Sequence, residues 1–162
     1  MWVHYNNSPK PVIIKDVAQA DHHKPCGLWI TPHGQEDNWI DWCITEDFHV
    51  NRYTNAHEVI FSPTANLLTM STPQELDSFT DEYGIDLATS TRLKLNGKYN
   101  HTCDWERVAE KWDGILITPY IWERRRTMWY YSWDCASGCI WRASAIEKIT
   151  LRPELADPPV RA

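Results

Sequence analysis

Three short stretches carry residue types from which a reactive site could be assembled. They are His4 in Val3-His4-Tyr5, Trp29 in Gly27-Leu28-Trp29-Ile30-Thr31, and Asp134 in Trp133-Asp134-Cys135-Ala136-Ser137-Gly138-Cys139-Ile140-Trp141. A neutral imidazole donates a hydrogen bond from one ring nitrogen and accepts one at the other, so His4 can donate to a sugar hydroxyl while accepting elsewhere. The face of an indole attracts a flat cation. A carboxylate stabilises the positive charge that develops on a sugar ring as its glycosidic bond breaks. The small residues Ala136, Ser137 and Gly138 after Asp134 leave room for a ligand to approach the backbone. Each candidate also has an ordinary role open to it: a histidine near a strand end, an aromatic in a core, an aspartate in a turn.

The order histidine, aromatic, acidic residue along successive strands resembles the signature of the small NAD-dependent mono-ADP-ribosyltransferases of the toxin, effector and phage anti-defence type. The resemblance implies that His4 binds the adenosine-side ribose of NAD, that Trp29 packs on the nicotinamide, and that Asp134 is the catalytic carboxylate. Tyr5 is the alternative aromatic, because Trp29 lacks the hydroxyl of the family's usual tyrosine. Thr31 and Ser62 complete the NAD-binding set, Ser62 matching a serine found in the middle of many such enzymes. The resemblance further implies an α+β fold of split antiparallel β-sheets with short flanking helices over residues 1–152, and a glycosyltransferase-class reaction with NAD as co-substrate. The acceptor is then a protein or a nucleic acid, and the cytosol (a host cell's, for a phage protein) is the place of action.

Glu123-Arg124-Arg125-Arg126-Thr127-Met128-Trp129-Tyr130-Tyr131 lies just upstream of the aspartate, where a loop of the family helps choose the acceptor. Arg124, Arg125, Arg126 and Trp129 are therefore the expected acceptor-recognition residues, in a hairpin or loop beside the cleft mouth. Guanidiniums hold phosphates bidentately and rings stack on bases, which makes a nucleic-acid acceptor chemically reasonable. The same stretch suits the NAD pyrophosphate, an acidic protein surface, or a solvated charge run. Rival functions are a non-catalytic binding or inhibitor protein on the same fold and a nucleic-acid-binding module. Cys135 and Cys139, with His22, His23, Cys26 or Cys103, lack the tight spacing of a zinc knuckle, and no metal is expected. No Gly-rich phosphate loop is present.

Composition narrows these options. The chain has 162 residues, enough for one domain that buries roughly two thirds of its unfolded surface. Ten Trp, seven Tyr and three Phe exceed what a core needs, so some rings should line a pocket. A formal charge of −6 argues against a nucleic-acid glove, though not against a local basic patch. No apolar run reaches membrane-spanning length, and five cysteines without a Cys-x-x-Cys pair suit a reducing compartment.

The elements that must position the site follow from local patterns. Strands are expected at Trp2–Tyr5, Cys26–Thr31, Asn55–Ser62, Leu67–Met70, Ile115–Thr118, Trp129–Trp133, Gly138–Trp141 and Ala145–Leu151. Apolar residues at helical spacing predict a short helix between Glu36 and Glu46. Thr72-Pro73-Gln74-Glu75 is a capping box that opens a helix to Tyr83, with Gly84 stopping it. Asp104 caps another through Trp112. Ile85 to His101 is weakly patterned and reads as a loop, and residues 153–162 read as a loosely tied tail. If the three candidates form a site, His4, Trp29 and Asp134 must meet in one cleft.

Overall fold

The computed structural model describes residues 1–20, 22–48, 53–87 and 101–156. Its strands are β1 (Trp2–Asn6), β2 (Leu28–Pro32), β3 (Asn55–Phe61), β4 (Leu67–Met70), β5 (Gly84–Asp86), β6 (His101–Cys103), β7 (Gly114–Ile117), β8 (Ser137–Ile140) and β9 (Ile146–Leu151). Its helices are α1 (Trp39–Thr45), α2 (Pro73–Tyr83), α3 (Trp105–Lys111) and α4 (Met128–Tyr131). Seven strands form one sheet in the order β4-β7-β8-β2-β1-β3-β9, and β5 pairs with β6 alone. Every neighbouring pair is antiparallel except β4 and β7, which are parallel and joined by a crossover that includes α2 and α3, as parallel pairing requires. The domain is thus α+β with a mostly antiparallel sheet and short helices. The expected split is replaced by a continuous ladder with a weak seam, since β1 and β2 share only Trp2↔Pro32 and Val3↔Thr31.

Local chemistry explains most boundaries. The Thr72 hydroxyl accepts from the Glu75 N–H at 3.3 Å while the Glu75 carboxylate accepts from the Thr72 N–H at 3.0 Å, the reciprocal capping box. Gly84 ends α2 in extended backbone, and a Cβ there would lie 2.3 Å from the Thr80 carbonyl oxygen. Thr72→Ala should lower stability by about 1 kcal/mol, read as a fall in denaturant midpoint without a change in slope. Asp104 caps α3 through the Arg107 N–H at 3.0 Å.

The aromatic stretch at Trp129–Trp133 departs from its expected strand: Trp129 to Tyr131 lie in α4, and Ser132 and Trp133 follow in the turn that ends it. Trp129, Tyr130 and Trp133 are buried while Tyr131 faces solvent. Burial at i, i+1 and i+4 is a helical face, and the β-propensity of the individual rings hid it. The Thr127 carbonyl accepts from the N–H groups of both Tyr130 and Tyr131. Trp105, Trp129, Trp133 and Trp141 are each almost fully buried in the larger core cluster, against α2 and β7.

Only the ends of the expected loop at Ile85 to His101 are described, and they pair as β5 and β6; residues 88–100 lie outside the described residues. The tail is tied further than expected. Pro153–Leu155 makes a 3-10 turn, and Leu155 and Ala156 pack against the cluster of Val3, Tyr5 and Ala56. Residues 157–162, with Pro158 and Pro159, lie outside the described residues. Among the described residues no helix is long and apolar enough to cross a membrane.

Candidate functional site

The seam between β1 and β2 creates the site. Their backbone pairing stops at Val3 and Thr31, and the next link is a side chain: His4 Nδ1 lies 2.8 Å from the Trp29 carbonyl oxygen. A carbonyl only accepts, so Nδ1 carries the hydrogen and the neutral ring offers Nε2 as an acceptor. Burial holds His4 below the usual histidine range, which favours that neutral form. His4 thus spends its one donor on the backbone, which leaves only the acceptor Nε2 where donation was expected.

Where the strands part, a cavity of about 290 Å³ opens, lined by His4, Tyr5, Trp29, Thr31 and Asp134 among others. Residues from opposite ends of the chain share it because β8 pairs with β2, at Trp29↔Cys139 and Ile30↔Gly138, and Asp134 lies on the approach to β8. On its other side β8 packs closely on β7, where Gly138 is required: a Cβ there would sit 2.7 Å from the Ile115 carbonyl oxygen. Trp133, next to the carboxylate, packs edge-on against Trp29 with ring centroids 4.9 Å apart and so backs the indole from the core side.

Asp134 is 41% exposed and 3.9 Å from the Lys24 ammonium. Desolvation raises its carboxyl above the usual aspartate range, Lys24 pulls it back, and Glu46 pushes it up. The Lys24 ammonium also lies 5.2 Å from the Trp29 ring centroid, over its face. An indole face and a carboxylate therefore gather one cation between them. No chain-local pattern pointed to Lys24, since the contact exists only through tertiary folding. Trp39 and Tyr53 also line the cavity, and Trp39 packs edge-on against Tyr53 and stacks on Trp42 at 5.1 Å. The helical apolar face of α1 could have flagged Trp39.

No family model, curated protein or solved structure matches the chain. The roles of its side chains rest on their own contacts, and these divide the expected residues. Tyr5 lines the cavity, but its hydroxyl is hydrogen-bonded to His33 Nδ1 at 3.1 Å, and burial, then Asp41, pushes its pKa up to about 12. Thr31 donates to the Ala136 carbonyl at 2.8 Å and accepts from the Trp39 N–H at 2.9 Å. Its hydroxyl thus ties the turn after Asp134 to the start of α1 at the cavity wall. Thr31→Val, an isostere, should leave the Trp39 N–H without this partner and cost about 1–3 kcal/mol, measured by thermal unfolding.

Three expectations are corrected. Ser62 is absent from the cavity lining and closes a turn after β3, its Oγ 2.9 Å from the Thr64 hydroxyl, too occupied locally for an NAD-binding role. Trp129 is 1% exposed with its Nε1 donating to the Thr80 hydroxyl at 2.9 Å, so it cannot touch a macromolecular acceptor. The arginines lie on a 3-10 turn (Trp122–Arg124) and the residues after it, and none lines the cavity. Arg124 is committed to both carboxylate oxygens of Asp77 on α2, each at 2.7 Å, while Arg125 covers the Trp122 ring and Arg126 is exposed.

Thiol chemistry finds no support here. All five cysteines are free. Cys135, the cysteine that lines the cavity, has its pKa pushed up to about 12 by burial, so its thiolate is scarce at neutral pH. Among the described residues no group of three or more His, Cys, Asp or Glu side chains could hold a metal ion.

Proposed function

We propose that this protein is an NAD-dependent mono-ADP-ribosyltransferase that cleaves the nicotinamide–ribose bond in the cavity at the β1–β2 seam. The observation that carries this reading is the meeting of Trp29 and Asp134 around a cation, with His4 on the same cavity. A pyridinium is a flat cation suited to an indole face. As its bond to C1′ breaks, the electron pair goes to the ring nitrogen, neutral nicotinamide leaves, and the positive charge passes to the ribosyl group. Asp134 lies beside that charge as it forms and stabilises it. The acceptor's nucleophile, or water, then bonds to C1′ and gives up its proton to solvent.

The remaining residues have supporting parts. Neutral His4 accepts from a ribose hydroxyl at Nε2. Pockets for small molecules run roughly 300–1,000 Å³, so a cavity of about 290 Å³ admits one end of the dinucleotide and leaves the rest at its mouth. Arg125 and Arg126 remain the cations for a protein or nucleic-acid acceptor, since Arg124 is tied to Asp77. Five free thiols suit a reducing cytosol.

Melting temperature and nicotinamide release, both measured with NAD, test the proposal together. A ligand that binds only the folded state stabilises it, so the melting temperature should rise with NAD concentration while free nicotinamide accumulates. A rise without release would leave a non-catalytic binding protein. Neither response would remove NAD from the reading.

A further inference from the structure

Lys24 reaches the cavity on the long connection between β1 and β2, and that connection is held shut behind it. The Gln19 side chain, itself buried, donates to the carbonyl oxygens of Cys26 at 2.6 Å and Val17 at 3.2 Å, while its own oxygen accepts from the Cys26 N–H at 2.8 Å. The Val17 N–H in turn donates to the Trp141 carbonyl at 2.9 Å, tying the loop to the end of β8. Among the described residues lining the cavity, Lys24 is the one lysine or arginine. Its ammonium occupies the slot between the Trp29 face and the Asp134 carboxylate. Burial disfavours the charged amine there, and Asp134 is the first group to offset that cost.

Two cations cannot share one indole face and one carboxylate without repulsion. A pyridinium entering the slot must therefore displace the ammonium. Resting on the NAD reading, we infer that Lys24 is a specificity-determining residue that exchanges partners on binding: the ligand's pyridinium takes Trp29 and Asp134, and the ammonium turns to the ligand's diphosphate. The side chain suits the exchange, as a compact charge on a flexible four-carbon stem that serves as a point-charge phosphate binder. A ligand carrying both a cationic ring and a diphosphate satisfies every charge. A ligand with the cation alone must evict Lys24 uncompensated, and a ligand with the diphosphate alone must draw it away from Asp134.

The two halves of the ligand should therefore respond to Lys24 with opposite signs. Dissociation constants of 1-methylnicotinamide, a ring-methylated pyridinium cation without phosphate, and of ADP-ribose, a diphosphate without the cation, are measured on the full chain and on Lys24→Met, which keeps an unbranched stem. Lys24→Met should tighten 1-methylnicotinamide several-fold and weaken ADP-ribose about tenfold or more, the scale of one charge-assisted hydrogen bond. Lys24→Arg should keep ADP-ribose near the native value. If methionine disturbs folding, Lys24→Gln at this half-exposed position should show the same opposed signs. Shifts in the same direction, or no shift for either fragment, would overturn the exchange. The outcome is separable from the parent reading: if NAD binds and nicotinamide is released while the fragments fail to oppose, the role of Lys24 alone falls. If neither NAD nor either fragment binds the native chain, both fall together.

Discussion

Asp134→Asn should reduce nicotinamide release from NAD by about a hundredfold or more, because the change keeps shape and one acceptor oxygen but removes the charge proposed to stabilise the ribosyl cation. The protein should stay folded, since Asp134 is 41% exposed and its ion pair with Lys24 is long at 3.9 Å. NAD should still raise the melting temperature of the variant. Asp104→Asn and Asp113→Asn serve as controls, because Asp104 caps α3 and the Asp113 carboxylate accepts from the Asn66 N–H at 2.9 Å. Both should act through stability and leave turnover per folded molecule intact. Release that survives Asp134→Asn undiminished would remove the carboxylate from the chemistry.

The same group sets the expected pH dependence. In the proposed reaction the carboxylate must be ionised to stabilise the cation, so kcat/KM should fall as pH drops through the Asp134 pKa. Desolvation raises that pKa, which places the acid limb above the value of about 3.9 for an unperturbed aspartate. Lys24 pulls the carboxyl down, so Lys24→Met should move the limb further toward neutral pH. A limb at the unperturbed value, unmoved by Lys24→Met, would show that another group limits the rate.

Trp133→Ala, one residue away, should behave in the opposite manner. Trp133 is fully buried and packs against Trp29, Trp129 and Tyr130, with ring centroids 4.9, 6.3 and 6.1 Å apart. Truncating a buried tryptophan typically costs about 3–5 kcal/mol, from lost transfer energy plus the cavity left behind. Against a total domain stability of roughly 5–15 kcal/mol, chemical denaturation should show a protein near the edge of folding. NAD binding should also weaken, because the Trp29 ring loses the wall that holds it over the cavity. A variant of native stability would mean that the Trp29–Trp133 contact carries little of the core.

How much of this was legible beforehand depended on whether the signal was local. The α2 capping box involves residues three apart, and Thr72, Pro73 and Glu75 declare it outright. Leu67–Met70 read as a strand and is one, because turn-forming residues bracket its apolar run. Trp129 to Trp133 misled, since β-favouring rings outvoted a helical burial spacing that becomes visible only when Tyr131 is seen to face solvent. The site divided the same way. Residue type and order point to His4, Trp29 and Asp134, and the pairing of β2 with both β1 and β8 brings them to one cavity. Lys24 was invisible, because a lysine before a proline carries no cue that Gln19 will close its loop on Cys26 and Val17 will tie that loop to Trp141. The donor role expected of His4 failed for a related reason: which ring nitrogen is free depends on a carbonyl on the neighbouring strand.

A crystal structure of Asp134→Asn grown with saturating NAD would test the central claim most directly, because the variant should bind the dinucleotide without consuming it. The expected result is an intact NAD with its nicotinamide ring on the face of Trp29 and the adjoining ribose beside residue 134. NAD bound away from the β1–β2 seam, or an empty cavity at saturating NAD, would contradict it.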